Sequence, residues 1–369
     1  MVSIAREILL HDKLRLAITV VSLGFTIVMM VYDMGMFFGV TGDSVNMIDR
    51  AHADLWVSEE EEAHFGAASL LPSTTLRWAR RLDGIGQACA VDHSIANLKI
   101  ASTRQVEALG IDPACPLFQP WKVAEGDVEG LQRRDTIVVD DLALRGINHA
   151  QLGDTVELNG REMRIVAITH DNKSFSYPYV YVSLRTFGSV VGTPDHYSFV
   201  AVQAEPGADQ DRIIRQLTNS SSGVTISRTR EFRLATIMAL IAQGVGMIFV
   251  IVFVGVLVGM LIITLTMYTA TMERLREFAI LKALGASRWK IRAIVLEQAI
   301  IETVVGFGLG LAASLGVDRF VEAMSGIRGR FPIPMIVGCF VMMVTLAILG
   351  SLISIRKATS VDPVMVFRA

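Results

Sequence analysis

Glu273-Arg-Leu-Arg-Glu-Phe-Ala-Ile-Leu-Lys-Ala-Leu-Gly-Ala286 is a charged, helix-patterned segment set between two long apolar runs. Cations crowd it: Arg274, Arg276 and Lys282, followed closely by Arg288, Lys290 and Arg292. Short cation-rich loops between membrane spans stay in the cytoplasm. The segment therefore reads as an intracellular elbow of a membrane protein, and the rest of the topology follows from it.

Of the 369 residues, 52% are hydrophobic, more than an ordinary soluble chain carries, and they are clustered. Four runs are long enough to cross a bilayer, which takes roughly 20 residues each. We place these spans at 16–39, 237–268, 294–317 and 335–355. The elbow then covers 269–293, an outer loop 318–334, and a cytoplasmic tail 356–369. Residues 1–15 alternate charges with Ile4, Ile8, Leu9 and Leu14, a pattern that predicts an amphipathic helix on the inner membrane face. The first span is too long for a signal-peptide core, and no small-residue cleavage pattern follows it, so it is expected to be retained.

Charge orients the chain. Residues 40–236 hold 26 acidic and 19 basic residues, net −7; the remainder holds 10 and 15, net +5, and the two sum to the overall −2. Arg6, Lys13 and Arg15, the elbow cations, and Arg356, Lys357 and Arg368 share one side if four spans alternate. That side is cytoplasmic, against the smaller weight of Arg319, Arg328 and Arg330 in the outer loop. The acidic region is then an extracytoplasmic domain.

Within that domain, strand-like Ala53–Val57, helix-like Thr74–Leu82 with Ser73 as N-cap, and strand-like Gln87–Ile95 form one unit. Phe199–Gln203, Asp209–Leu217 and Val224–Ser227 form a second. Two strand–helix–strand units predict a ferredoxin-like α+β base. The β-rich insertion between them spans about 98–184, with strands at Thr136–Asp140, Thr155–Leu158 and Met163–Ile168, and Asn159-Gly160 as a hairpin turn. The fold class expected is thus a four-span α-helical membrane protein carrying an extracytoplasmic α+β domain.

Catalytic chemistry is not indicated. No Gly-Lys pair exists to build a phosphate loop, and H-E-x-x-H and G-x-S-x-G are absent. The seven histidines are scattered and read as surface or satisfied polar groups, so neither a metal site nor a catalytic constellation is expected. Ionisable residues inside spans are costly and often functional. Asp33, near the outer end of the first span, and Glu302, about two turns into the third, are the candidates for a transport path. Gly255 and Gly259, four apart in the second span, let helices approach closely, either within the bundle or against a second copy. An oxidising outer compartment permits a Cys89–Cys115 disulfide, although spacing alone does not establish the pairing.

Residues 273–287 resemble the signature of FtsX-type permeases, the membrane subunits of MacB/LolC-type ABC transporters. Ala53-Asp-Leu-Trp-Val57, Leu142-Ala143, Leu152-Gly-Asp-Thr-Val156 and Asp362-Pro-Val-Met-Val-Phe-Arg368 resemble further marks of that family in order along the chain. The resemblance implies a homodimer of four-span permeases in a bacterial inner (plasma) membrane, each with a cytoplasmic ABC ATPase below. ATP and Mg would sit in that partner, with no cofactor in this chain. It also implies an ATPase contact at Glu273, Arg274, Arg276, Glu277, Phe278, Leu281, Lys282, Leu284, Gly285 and Ala286. Phe278, Leu281 and Leu284 form an apolar stripe on the elbow, and Gly285 is a helix stop. A periplasmic adaptor and membrane lipids are further partners of such systems; nucleic acid is not. The start of the chain close to the first span matches the smaller DevC- and HrtB-like permeases with a separately encoded ATPase. Export of a lipid-like or hydrophobic substrate is the expected function; the alternative is a mechanical transducer that activates an outer enzyme or sensor without transport.

Overall fold

The computed structural model describes residues 13–60, 62–67, 69–100, 102–144, 150–175, 177–220, 223–273, 279–280, 282 and 285–360. The expected helix at 1–15 and the tail therefore lie mostly outside the described residues. So do Arg274, Arg276, Glu277, Phe278, Leu281 and Leu284 of the expected ATPase contact. The chain forms two compact units: residues 1–39 with 245–369, and residues 40–244.

The first unit is helical. Its helices are Lys13–Ser44 (which continues past residue 39), Met247–Glu273, Arg288–Ser325 and Ile333–Ser360. Leu16–Ser44, Trp289–Met324 and Ile333–Ser351 are each long and apolar enough to cross a membrane. The second span departs from expectation. Helix Thr229–Leu240 gives way to a π-turn at Ile241–Val245, where Gly244 takes φ 120°, and the membrane helix restarts at Met247. That backbone angle is open to glycine and strained for other residues, so the break falls there. Counted as one broken span, the pair brings the total to four.

The third helix also overruns its apolar core. It ends only at Ser325, where Gly326 at φ 72° donates its N–H to the Glu322 carbonyl, so the expected outer loop 318–334 shrinks to residues 326–332. Small residues seat the first helix on the third. Gly24 lies against Gly306, and Gly310 lies against Ile27. Leu23, Ile27, Met30, Phe307, Cys339 and Met343 fill the helical core. Val250, Phe253, Leu257 and Leu261 remain exposed on the second helix, as apolar residues facing lipid do.

The second unit is built on one large sheet and a two-stranded ribbon of β2 with β10. The strands of the unit are β1 (Leu55–Glu59), β2 (Leu71–Pro72), β3 (Ile85–Lys99), β4 (Thr103–Ile111), β5 (Val123–Gly126), β6 (Thr136–Asp140), β7 (Thr155–Leu158), β8 (Arg161–Thr169), β9 (Tyr179–Ser183), β10 (His196–Tyr197), β11 (Phe199–Ala204) and β12 (Val224–Arg228). The base reads β12-β1-β11-β3, every neighbouring pair antiparallel. Numbering the four base strands in chain order, this is 4-1-3-2, the ferredoxin-like arrangement. Alternation along β1 puts Leu55 and Val57 in a core with Leu76 and Ala79 of helix Ser73–Ala79 and Ile213 and Leu217 of helix Gln210–Ser220. Trp56 points into the opposite core.

The expected N-cap at Ser73 is corrected: the helix starts at Ser73 itself, Pro72 holds the cap position, and no side chain caps it. The boundary near residue 98 is also softer than expected. β3 is one 15-residue strand that pairs with β11 at its start and β4 at its end. Base and insertion are therefore one continuous ten-stranded sheet. Asn159 (φ 47°) and Gly160 (φ 87°) turn the β7–β8 hairpin, and Asn159 Oδ1 accepts the Asn97 N–H at 2.8 Å.

Candidate functional site

Helix Thr229–Leu240 is clamped to the outer domain. Phe232 stacks on Trp56 with centroids 4.8 Å apart and planes 7° from parallel, and Phe65, Phe118 and Phe199 surround Trp56 edge-on. Hydrogen bonds add to this: the Thr229 N–H reaches the Asp54 carbonyl at 3.0 Å, and Thr236 Oγ1 accepts the Phe65 N–H at 3.0 Å. Arg233 Nε then meets Asp49 Oδ1 at 2.8 Å, which ties this helix to the short helix Asn46–Arg50. Lys173 and Asp43, both nearly buried, pair at 3.4 Å, and the Arg50 guanidinium lies 4.6 Å from the Trp121 ring centre. The two segments by which the chain enters and leaves the outer domain are thus fastened to it and to each other by stacking, ion pairs and hydrogen bonds.

Beside this clamp lies a cleft of about 180 Å³, bordered by Phe65, Ile95, Phe175, Tyr177 and Leu240, with His93 and Glu107 among its polar lining. His93 and Glu107 sit diagonally across the β3–β4 ladder, where His93 is opposite Leu109 and Glu107 is opposite Ile95. The imidazole packs against Phe65 (5.2 Å) and Phe199 (6.0 Å), which also touch each other at 5.5 Å. Its Nδ1 is 3.8 Å from Glu107 Oε1. Burial raises the Glu107 carboxyl above the usual carboxylate range, while His93 and a hydrogen bond from Ser174 pull it back. The neighbouring Asp92, whose Oδ1 accepts the Ser198 N–H at 2.7 Å, is pushed up to about 7 by burial. Asp140 is likewise raised to about 7 by burial, although it accepts from Leu142, Thr169 and Asn172.

The residues expected from sequence are dispersed. Glu302 is buried at 5% exposure, on the helix face that carries Ala299, Thr303 and Gly306. Asp33 is half-buried on the first helix, and its Oδ2 has no hydrogen-bond partner among the described residues. Gly259 packs within the chain, against Thr26 of the first helix, while a side chain at Gly255 would meet nothing within 4 Å. Cys89 and Cys115 are joined by a disulfide with Cα atoms 6.2 Å apart. Of the elbow, Gly285 takes φ 89°, and the Ser287 hydroxyl caps the third helix by accepting from the Lys290 N–H. Among the described residues no cluster of three metal-ligating side chains occurs.

His93 and Glu107 were missed because each is unremarkable alone. Strand alternation puts each on a face, but only the β3–β4 register brings them together.

Residues 16–220 match the MacB-like periplasmic core domain family, and residues 249–363 match the FtsX-like permease C-terminal family. The chain is similar to the ABC transporter permease YknZ of Bacillus subtilis, 26% identical over 231 residues that cover 59% of this chain and 57% of that protein. An ABC transporter permease of Mycobacterium tuberculosis is 22% identical over 360 residues, 96% of each chain. Among solved structures, the periplasmic region of MacB from Actinobacillus actinomycetemcomitans aligns with TM-score 0.40 and 13% identity, over 53% of this chain and 96% of that one.

Proposed function

This chain belongs to the family of MacB- and FtsX-like ABC transporter permeases, and from that premise we propose that it is the membrane subunit of an exporter worked by mechanical coupling. It is a multi-pass plasma-membrane protein with a large outer domain. Two copies would each hold a separate cytoplasmic ATPase at the elbow. ATP binding there closes the dimer, the spans carry the closure, and the outer domains move. A lipid-like or hydrophobic cargo, taken from the outer leaflet or the outer compartment, is then released or handed to an adaptor.

The observation that carries this reading is the clamp. A motion delivered through residues 46–50 or 229–240 reaches the outer domain without slack, because Trp56–Phe232 stacking and the Arg233–Asp49 pair leave little freedom between them. Aromatic pairs of this kind contribute about 0.5–1.5 kcal/mol beyond the area they bury.

The test is on the elbow. Glu277→Arg combined with Gly285→Trp places a reversed charge and a bulky ring where the ATPase is expected to seat. Copurification of the cognate ATPase and its stimulation by the permease are measured. Both should be lost while the outer disulfide still forms. Undiminished ATPase binding together with undiminished export would refute the coupling.

A further inference from the structure

The hydrogen bonds of His93 leave an unusual arrangement in the outer-domain cleft. Nε2 lies 3.1 Å from the Ala67 carbonyl oxygen. A carbonyl only accepts, so the ring hydrogen is on Nε2, and in the neutral imidazole Nδ1 is an acceptor. That buried Nδ1 has no hydrogen-bond partner and faces Glu107 Oε1 at 3.8 Å. An ionised Glu107 also only accepts. With the imidazole neutral and Glu107 ionised, two acceptors lie against one another in the lining of the cleft.

The lining narrows what answers them. It contains no Lys or Arg, so an anionic group finds no permanent countercharge beside the imidazoles of His64 and His93. Two candidate ligands fall short of a metal site, and no group of three exists among the described residues. Four aromatic rings, Phe65, Phe175, Tyr177 and Tyr179, border the cleft, and ring faces attract cations. Ile95 and Leu240 extend the wall in apolar surface. We propose that this cleft binds an organic ammonium, a protonated amine carried on an apolar body, with its N–H groups donating to Glu107 and His93 and its body against Phe65, Ile95 and Leu240. The bound cation supplies the donor that Nδ1 lacks, adds to the Ser174 hydroxyl at Glu107, and holds Glu107 ionised. This deepens the export reading by naming a class of cargo, but binding is measured without the ATPase. Failure of amine binding therefore leaves mechanical coupling standing, and failure of coupling leaves binding intact.

The experiment uses the full chain purified in a neutral detergent. Phenethylamine, phenethyl alcohol and hydrocinnamate share one body and differ in head group, and their binding is followed by calorimetry at pH 7.5. The amine is expected to bind at least tenfold more tightly than the alcohol, and hydrocinnamate not at all. Glu107→Gln should remove the preference for the amine, and Ile95→Trp, which fills the mouth, should weaken amine and alcohol alike. Equal binding of amine and alcohol by the unaltered protein overturns the proposal, as does an amine preference that survives in Glu107→Gln. The preference is read on the unaltered protein, so it stays decisive even if a variant misfolds. Nanodiscs then separate the sources. Competition by ethanolamine-headgroup lipid, with none by glycerol-headgroup lipid, makes the occupant a membrane lipid; phenethylamine binding that neither lipid displaces makes it a soluble amine. Loss of amine binding in both kinds of nanodisc overturns the assignment.

Discussion

Gly310 of the third membrane helix backs directly onto Ile27 of the first: a β-carbon at position 310 would lie 2.7 Å from Ile27 Cβ. Gly306, one turn away, stands in the same relation to Leu23 at 3.0 Å. Lipid supplies no hydrophobic force between helices, so close fit is what holds them. Gly310→Leu is expected to lower the thermal midpoint of the detergent-solubilised protein, at a cost of about 1–3 kcal/mol or more from overpacking. Gly308→Leu, where nothing lies within 4 Å, serves as the control and should leave the midpoint unchanged.

The second helix separates packing within the chain from packing between copies. Gly259 is filled by Thr26 of the same chain, whereas Gly255 is open. Gly259→Leu should therefore destabilise the isolated permease. Gly255→Leu should leave its unfolding unchanged, and if the dimer forms on this face, crosslinking between copies should fall about tenfold for each 1.4 kcal/mol lost. Unchanged crosslinking of Gly255→Leu would put the dimer contact elsewhere.

The Cys89–Cys115 bond closes a loop with a sequence separation of 26. In the chain-entropy account a loop of that length contributes about 3.5 kcal/mol by restricting the unfolded chain. Cys89→Ser with Cys115→Ser should lower outer-domain stability by roughly 2–4 kcal/mol, read by chemical unfolding of the full chain. The same loss should follow reduction of the unaltered protein, and the double variant should be insensitive to reductant.

Asp92 makes stability depend on pH in a direction that can be worked out. Its carboxyl titrates near 3.8 when unfolded and about 7 when folded, because burial disfavours the charge. Between those values the folded state holds the proton and the unfolded state does not, so stability falls as pH rises. The contribution is fully present below about pH 4 and lost by about pH 7, a change on the order of a few kcal/mol. Asp92→Asn keeps an acceptor for the Ser198 N–H and does not titrate. It should flatten part of the decline seen in unfolding curves from pH 4 to 7.5. Asp140, also raised to about 7, and Glu107, raised by burial, contribute to the slope that remains. A decline of full size in Asp92→Asn would show that Asp92 is already ionised in the folded protein.

What the linear chain settles here is what depends on local order. Apolar run length places four spans, cation counts orient them, and alternation with an Asn159-Gly160 turn draws the outer strands and the β7–β8 hairpin. Motif order from Ala53 to Arg368 reveals the family, since it needs no distance in space. Other features depend on long-range pairing, and only the tertiary structure decides them. The break at Gly244 could not be read from the apolar character of the run, because it is a backbone angle and not a composition. Gly255 and Gly259 look alike in sequence, and only the position of Thr26 tells them apart. His93 and Glu107 are 14 positions apart and meet through the β3–β4 register; a shift of one residue would send one of them to the opposite face.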